Sequence, residues 1–383
     1  MLKYLEKQEQ EIRPKGLWRS RIVTQTLEKA MILSNAQKYI NFCSSDYLGL
    51  SNHPRIKMAM QSSLQKFGFG SSSSPLLSGY SVECKELEKT FCNYLGFEDA
   101  LVFPSGYQAN VGVLSSLLTK NTKVLCDRLC HASILDGILL SRSKLRRFRH
   151  NDASHAHALI KAYTPNLLIT ESVFSMEGDI APIDELSSLS LSSHTPFFVD
   201  DAHGFGVLGK NGLGTLEHWK SKNVKPDILT IPFGKALGMS GAIVLANKNM
   251  INFILQHCRS YRYSTAISPI ICTGVLESLD IMLNETWRLE KLKQHIHVFN
   301  QYALDYNLPL ISHEITPIRS LHIGDSQQAL AVAKYLKNNG IYVAAIRPPT
   351  VPENTSRLRI SLTCTHHTSD IHHLAKMLKE ALQ

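Results

Sequence analysis

Two short strings hold the residue types from which imine and carbanion chemistry is built: Asp200-Asp201-Ala202-His203-Gly204 and Phe233-Gly234-Lys235-Ala236-Leu237-Gly238. Asp200 closes the apolar run Thr195-Pro196-Phe197-Phe198-Val199. A carboxylate at the tip of a buried strand needs a partner, because an unpaired buried charge is costly. A lone Asp there reads first as a helix cap or a structural ion pair. Here His203 follows, ahead of Gly204 and Gly206, in a turn where backbone can approach a ligand closely. Lys235 lies about one strand further on, between Gly234 and Gly238, in an apolar setting that solvates an ammonium poorly. A single lysine is more commonly a snorkelling surface residue. Together the pieces suit one cofactor. Pyridoxal phosphate needs a lysine for its Schiff base and a carboxylate on its pyridine nitrogen, which keeps the ring an electron sink.

Two further strings belong with these. His131, in Asp127-Arg128-Leu129-Cys130-His131-Ala132-Ser133, follows another apolar run, although by itself it would read as a packed histidine. Ser105-Gly106-Tyr107 opens a predicted helix, whose first amides suit a phosphate; such turns are common, so that signal is weak alone.

The elements that must position these residues follow from periodicity. Ile56, Met60, Leu64 and Phe67 fall at helical spacing behind Pro54, and Leu87, Phe91 and Leu95 predict a second helix from about Ser81; Gly68 to Ser78 is a Gly/Ser-rich loop between them. From about residue 100 the chain alternates. Apolar runs at Ala100–Phe103, Val124–Cys126, Leu167–Thr170, Phe197–Val199, Ile228–Ile231 and Ala242–Ala246 read as buried strands, most separated by enough chain for a crossover helix. This pattern predicts an α/β fold, a mainly parallel sheet with helices on both faces. Ligands bind at the C-terminal strand ends of such sheets, and there lie Ser105 to Tyr107, Asp127, Glu171, Asp200 to His203 and Phe233 to Lys235. After Pro269 the pattern is helical for about 35 residues. Runs at Ser320–Ile323, Tyr342–Ala345 and Leu358–Leu362 and a last helix from about Ser369 to Leu382 then predict a smaller α+β C-terminal domain. The expected division is an N-terminal helix and arm (1–45), a large cofactor-binding domain (46–285) and a small domain (286–383).

Bulk properties exclude several classes. With 383 residues, 44% hydrophobic and 19% charged, the chain suits about two packed globular units. No apolar run approaches the ~20 residues of a membrane span, and the charged stretch Met1 to Lys15 lacks a signal-peptide core, so a cytoplasmic protein without membrane association is expected. The eight cysteines show no CxxC pair. The net charge of +9 suits solubility or an anionic partner. The densest basic stretch, Arg142 to Arg149, has one aromatic, Phe148, and no nucleic-acid motif, so no nucleic-acid partner is expected. A metal site at His366, His367, His372 and His373 is the least favoured idea, and none is expected.

The same strings, in order, resemble the α-oxoamine synthases, fold-type I pyridoxal-phosphate enzymes of the aspartate aminotransferase superfamily. The likeness covers nearly the whole chain. It runs through Asn41-Phe42, Asp46-Tyr47-Leu48-Gly49-Leu50, Ser105-Gly106-Tyr107-Gln108-Ala109-Asn110, Asp127 to Ser133, Glu171-Ser172-Val173-Phe174-Ser175-Met176-Glu177-Gly178-Asp179, Asp200 to Gly204, Phe233-Gly234-Lys235 and Tyr263-Ser264-Thr265. Within the family, Ile346-Arg347-Pro348-Pro349-Thr350-Val351-Pro352 and Arg357-Leu358-Arg359 are similar to the branch that joins L-alanine to a pimeloyl thioester in biotin biosynthesis. The resemblance implies a fold-type I PLP-dependent transferase with a seven-stranded sheet, acting as a C-acyltransferase. It implies that Lys235 carries the Schiff base and moves protons, that Asp200 pairs with the pyridine nitrogen, that His131 stacks on the ring and lies near substrate, and that His203 hydrogen-bonds the phenolic oxygen. Gly106, Tyr107 and Ser175 would line the cofactor site. Arg19, or its neighbour Arg21, would meet the pimeloyl carboxylate; Arg359 would hold the alanine carboxylate, with Thr350 near substrate. A homodimer is implied, with Ser264 and Thr265 reaching the partner's phosphate, and the acyl donor would be pimeloyl-ACP or pimeloyl-CoA. Three strings depart from the family pattern. Pro232 stands where a threonine is usual, Ser45 replaces an asparagine, and Gly70-Ser71-Ser72-Ser73-Ser74-Pro75 replaces a Gly-Ser-Gly-Gly-Ser loop.

Overall fold

The computed structural model of the chain describes the backbone of residues 1–383 and the side chains of all but residues 2 and 3. Contacts divide it into two units, residues 48–174 with 180–289, and residues 1–47 with 175–179 and 290–383.

The larger unit is built on a seven-stranded sheet: β1 (Asp99–Phe103), β2 (Lys123–Asp127), β3 (Lys144–Phe148), β4 (Leu167–Glu171), β5 (Phe197–Asp200), β6 (Ile228–Pro232) and β7 (Ala242–Ala246). Their spatial order is β1-β7-β6-β5-β4-β2-β3. Only β7 runs against its neighbours, β1 and β6; all other pairs are parallel. Every residue of β4, β5 and β7 is buried, so both sheet faces are covered, and these strands are continuous apolar runs rather than alternating ones. One apolar layer seats Val113, Ile134 and Ile254 of the flanking helices against Phe103, Val124 and Val244 of the sheet.

All six strand runs expected from the sequence are present. The seventh strand, β3, coincides with the basic stretch read above only for its charge, Lys-Leu-Arg-Arg-Phe. It is an outer strand paired on one side, and three of its five residues are exposed. Its arginines and lysine keep that open edge from pairing with another chain. The opposite edge is handled differently. The helix Val82–Leu95 buries Leu87, Phe91 and Leu95 as expected, and its Glu88 Oε1 accepts a hydrogen bond from Val102 N of β1 at 3.0 Å. The helix Pro54–Phe67 also forms, but only part of its expected face is covered: Ile56 is buried, whereas Leu64 and Phe67 are 46% and 43% exposed.

The smaller unit holds a three-stranded antiparallel sheet of Ile318–Gly324, Ser356–Ser361 and Ala344–Ile346. It also holds the N-terminal arm, which is not a separate piece: its strand Gln37–Asn41 pairs in parallel with Ile341–Tyr342. His366 is buried there, stacked on Phe42 with ring centroids 4.2 Å apart, and burial pulls its pKa down to about 3. His366 is therefore a packing residue. Among the described residues no helix is long and apolar enough to cross a membrane.

Glu88 also makes stability depend on pH. Burial pushes its carboxyl up from 4.5 to about 7, against hydrogen bonds from Tyr80 and Val102. A carboxyl whose pKa is higher folded than unfolded stabilises the fold below pH 4.5 and loses that contribution as pH rises towards 7. Glu88→Gln is expected to flatten the stability profile across that window by up to about 3 kcal/mol. Denaturant midpoints measured at a series of pH values check this; an unaltered slope refutes it.

Candidate active site

Because β1, β2, β4, β5 and β6 run the same way, their C-terminal ends deliver the polar strings to one edge of the sheet. Asp200 ends β5, opposite Glu171 of β4 and Thr230 of β6. It is 4% exposed. Asn110 Nδ2 donates to its Oδ2 at 2.6 Å and Ala202 N to its Oδ1 at 3.0 Å. Burial raises its pKa, opposed by those two hydrogen bonds and by the fields of His131 and Lys235. The adjacent Asp201 has a different fate. It is fully buried and accepts from Thr215 N and Thr215 Oγ1, each at 2.9 Å, and burial pushes its carboxyl up to about 7. Gly204 must be glycine, since a Cβ there would lie 2.0 Å from Asp201 Oδ1. That close turn carries His203, itself 4% exposed.

Lys235 sits half-buried in the turn after β6, which is closed by Met239 N donating to Phe233 O and Gly238 N donating to Lys235 O, both at 2.9 Å. His131 follows β2. Its backbone N donates to Glu171 Oε1 at 2.5 Å, and its ring caps the helix Ala132–Ser141 by accepting from Ser133 N. Asp127, the fully buried last residue of β2, fixes the approach to this loop. It accepts from Leu129 N and Asn151 N at 2.8 Å and from His150 Nδ1 at 3.0 Å.

Ser105 caps the helix Gly106–Leu117, its Oγ accepting from Gln108 N. The amides of Gly106 and Tyr107 open that helix and have no intrahelical acceptor, the arrangement that favours a phosphate. Tyr107 is half exposed, its hydroxyl donates to Asp136, and its ring stands edge-on to His131. Gln108 Nε2 reaches Ser264 Oγ at 2.8 Å, which ties Ser264 to the same helix, while Thr265 is exposed.

Pro232 breaks no observed ladder bond, since on the β5 side it lies beyond the last pair, Asp200 and Thr230. Phe233 N bonds Gly241 O, so the next pair, Pro232 and Ala242, is a non-hydrogen-bonded one and no amide is missed there. The proline ring instead packs on Gly106, where a Cβ would lie 2.7 Å from Pro232 Cγ. Thr230, one pleat below, keeps a buried Oγ1 with no hydrogen-bond partner among the described residues.

The remaining expected residues belong to the smaller unit. Arg359 Nε donates to Ser175 O at 2.6 Å and Nη1 to Ser361 Oγ at 2.9 Å. Arg357 and Glu177 form an ion pair at 2.8 Å that braces the same segment. Arg19 Nη2 donates to Arg347 O, Pro348 O and Thr350 Oγ1 at 3.1, 3.0 and 3.3 Å. Arg19 is thus the arginine set beside Thr350, where the sequence left Arg21 as an alternative.

The larger unit fits pyridoxal phosphate. Asp200 is a buried carboxylate in the field of Lys235, which a pyridinium would complement, and unpaired helix amides lie after β1. Sequence reasoning assigned no role to Asn110, Ser133 or Gln108. Asn110 and Gln108 lie within the string after β1 and Ser133 closes the one after β2, but which side chains meet across two helices is not encoded in either string alone.

A model of the aminotransferase class I and II family matches residues 37–378. An 8-amino-7-oxononanoate synthase of Vibrio campbellii is 41% identical over 367 residues, 96% of this chain and 94% of that protein. One from Salmonella arizonae is 40% identical, covering 91% of each. Among solved structures, an 8-amino-7-oxononanoate synthase from Francisella tularensis is 33% identical with a TM-score of 0.79, over 90% of this chain and 98% of that one. A serine palmitoyltransferase from S. paucimobilis with a bound PLP-myriocin aldimine is 26% identical with a TM-score of 0.92, over 98% of this chain and 96% of that one.

The contact between Gly106 and Pro232 predicts a specific coupling. Gly106→Ala should destabilise the protein by about 1–3 kcal/mol through overpacking, and Pro232→Gly in the same chain, which removes both the Cγ at 2.7 Å and the Cβ at 2.9 Å, should recover part of the loss. A double-mutant cycle in urea measures this; simple additivity would exclude the contact as the cause.

Proposed function

Because the chain belongs to the aminotransferase class I and II family, we propose that it catalyses the reaction of an 8-amino-7-oxononanoate synthase. L-Alanine condenses with a pimeloyl thioester, with loss of carbon dioxide, in the route to biotin. The identity of about 40% to enzymes of that name across nearly the full chain carries the reading. The disposition of Asp200, His131 and Lys235 supports it chemically.

Bound there, pyridoxal phosphate supplies the electron sink for the α-carbon of alanine. Lys235 anchors the cofactor, and its Nζ takes the α-proton and later returns one. The Asp200 carboxylate would hold a proton at the pyridine nitrogen, His131 would order the ring, and His203 would offer a hydrogen bond to the phenolic oxygen. The amides of Gly106 and Tyr107 hold phosphate. Arg359, oriented by Ser175 O and Ser361 Oγ, offers its guanidinium to the alanine carboxylate. Arg19 meets the far carboxylate of the pimeloyl chain, with Thr350 beside it. The bond formed joins the α-carbon to the acyl carbon; the acyl C–S bond breaks and a thiol leaves.

The protein acts as a cytoplasmic homodimer. All eight cysteines are free thiols, as a reducing compartment allows. Phe69, Leu77 and Val82, 75–82% exposed and close in sequence, supply an apolar surface for a second copy. Ser264 and Thr265 then reach the partner's phosphate. The donor is carried by an acyl carrier protein: residues 120–165 hold nine Lys and Arg against three Asp, a basic segment suited to an acidic carrier.

Assays with alanine, glycine and serine against pimeloyl, acetyl and palmitoyl thioesters test the reaction. Alanine with pimeloyl should be preferred by about 100-fold or more, and Lys235→Ala should lose both turnover and the cofactor's lysine-linked absorbance. Preference for glycine with acetyl donor, or an active Lys235→Ala variant, would sink the assignment. Raising salt from about 50 to 300 mM should lower kcat/KM about tenfold for the carrier-bound donor and far less for the coenzyme A donor. Equal salt dependence would argue against the carrier.

A further inference from the structure

Asp200 and His131 are joined behind the cofactor site by two residues that the proposed reaction does not use. Asn110 Nδ2 donates to Asp200 Oδ2 at 2.6 Å and to Ser133 Oγ at 3.0 Å. Ser133 Oγ lies 2.8 Å from His131 Nδ1, and Ser133 N donates to the same Nδ1 at 3.2 Å. Asn110 and Ser133 are each 1% exposed, so water does not substitute for the bonds between Asn110, Asp200 and Ser133, while His131 at the other end is exposed.

The directions of the bonds follow from chemistry. The Ser133 backbone amide can only donate, so Nδ1 of His131 is an acceptor and carries no proton. Ser133 Oγ accepts from Asn110 and therefore gives its own proton to Nδ1. The Asn110 amide is fixed too. Turned over, its oxygen would face the Asp200 carboxylate, and both acceptors would lose their donor. Asn110 Oδ1 accordingly has no partner among the described residues, a cost the site tolerates because the reverse orientation is worse.

We propose that Asn110 and Ser133 are positioning residues: a one-way chain of donors that keeps Asp200 an acceptor carboxylate and His131 in the tautomer with its proton on Nε2. The cofactor thereby meets a carboxylate at its pyridine nitrogen and a neutral histidine against its ring, both set before it binds. Protonating Nδ1 would break two bonds at once, and protonating Asp200 Oδ2 would displace the Asn110 donor. The role for the cofactor rests on the function proposed above; the histidine tautomer does not.

The test therefore has two arms. In cofactor-free protein labelled with 15N-histidine, with His131→Asn used only to assign the signal, His131 should show an unprotonated Nδ1 and a protonated Nε2. Ser133→Ala removes one of the two donors to Nδ1 and leaves the backbone amide, so it should raise the Nδ1-protonated fraction measurably without making it dominant, and Ser133→Thr should return it to the parent's value. In the second arm, the Kd for pyridoxal phosphate is measured by fluorescence quenching. Asn110→Ala should weaken binding about tenfold, and Asn110→Asp, which sets an acceptor against Asp200, should weaken it more. If Asn110→Asp does not fold, Asn110→Ala decides, since it adds no charge. A His131 carrying its proton on Nδ1, a tautomer unmoved by Ser133→Ala, or an Asn110→Ala variant with the parent's Kd would each overturn the proposal. If the parent itself bound no pyridoxal phosphate, the proposed function would fail, and the tautomer would still decide the donor chain.

Discussion

Burial of one carboxylate organises this protein's chemistry. Asp200 sits at the end of a strand whose four residues are all buried, where an ionised group has lost most of its water. It is retained because donors come to it from the chain: the amide of Ala202 from its own turn, and the side chain of Asn110 from the helix after β1. Two donors do not cancel the desolvation, as its raised pKa shows. The remaining deficit is what a cationic partner at the same place would relieve, which is why the proposed pyridinium suits this carboxylate.

The frame exists to bring those partners to one edge. Parallel strands place every strand-end turn on the same side, and the residues after β1, β2, β4, β5 and β6 are all called on. Adjacent residues with identical side chains then diverge. Asp201 turns to Thr215 and becomes part of the packing, whereas Asp200 takes the Asn110 side chain and lies in the field of Lys235. The edges of the sheet are protected by different means, charge along β3 and a helix carrying Glu88 over β1. Both leave the interior strands free to be buried along their length, with polar residues gathered towards their C-terminal ends.

Pro232 illustrates how a local departure is absorbed. At most strand positions a proline would remove a ladder hydrogen bond. Here it occupies a pair that makes none, and its ring fills the space that Gly106 leaves by having no side chain. The same glycine opens the helix whose amides suit a phosphate, so the tight approach of backbone to ligand and the packing of the proline rest on a single missing Cβ.

The fold class, six of the seven strands of the large sheet and the strings that reach its edge were legible in the sequence, because buried strands and strand-end turns are local patterns of apolar runs, glycines and polar residues. Lys235, Asp200, His131 and His203 could be named from such patterns. The strand β3 could not, since an outer strand needs few apolar residues and this stretch stands out only by its charge. Nor could the contact of Arg19 with Thr350, the grouping of the N-terminal arm with the smaller unit, or the chain from Asn110 through Ser133 to His131. These depend on which residues far apart in sequence come within about 3 Å of one another. Periodicity records which face of an element is apolar, but only the packed fold decides which polar atoms meet across it.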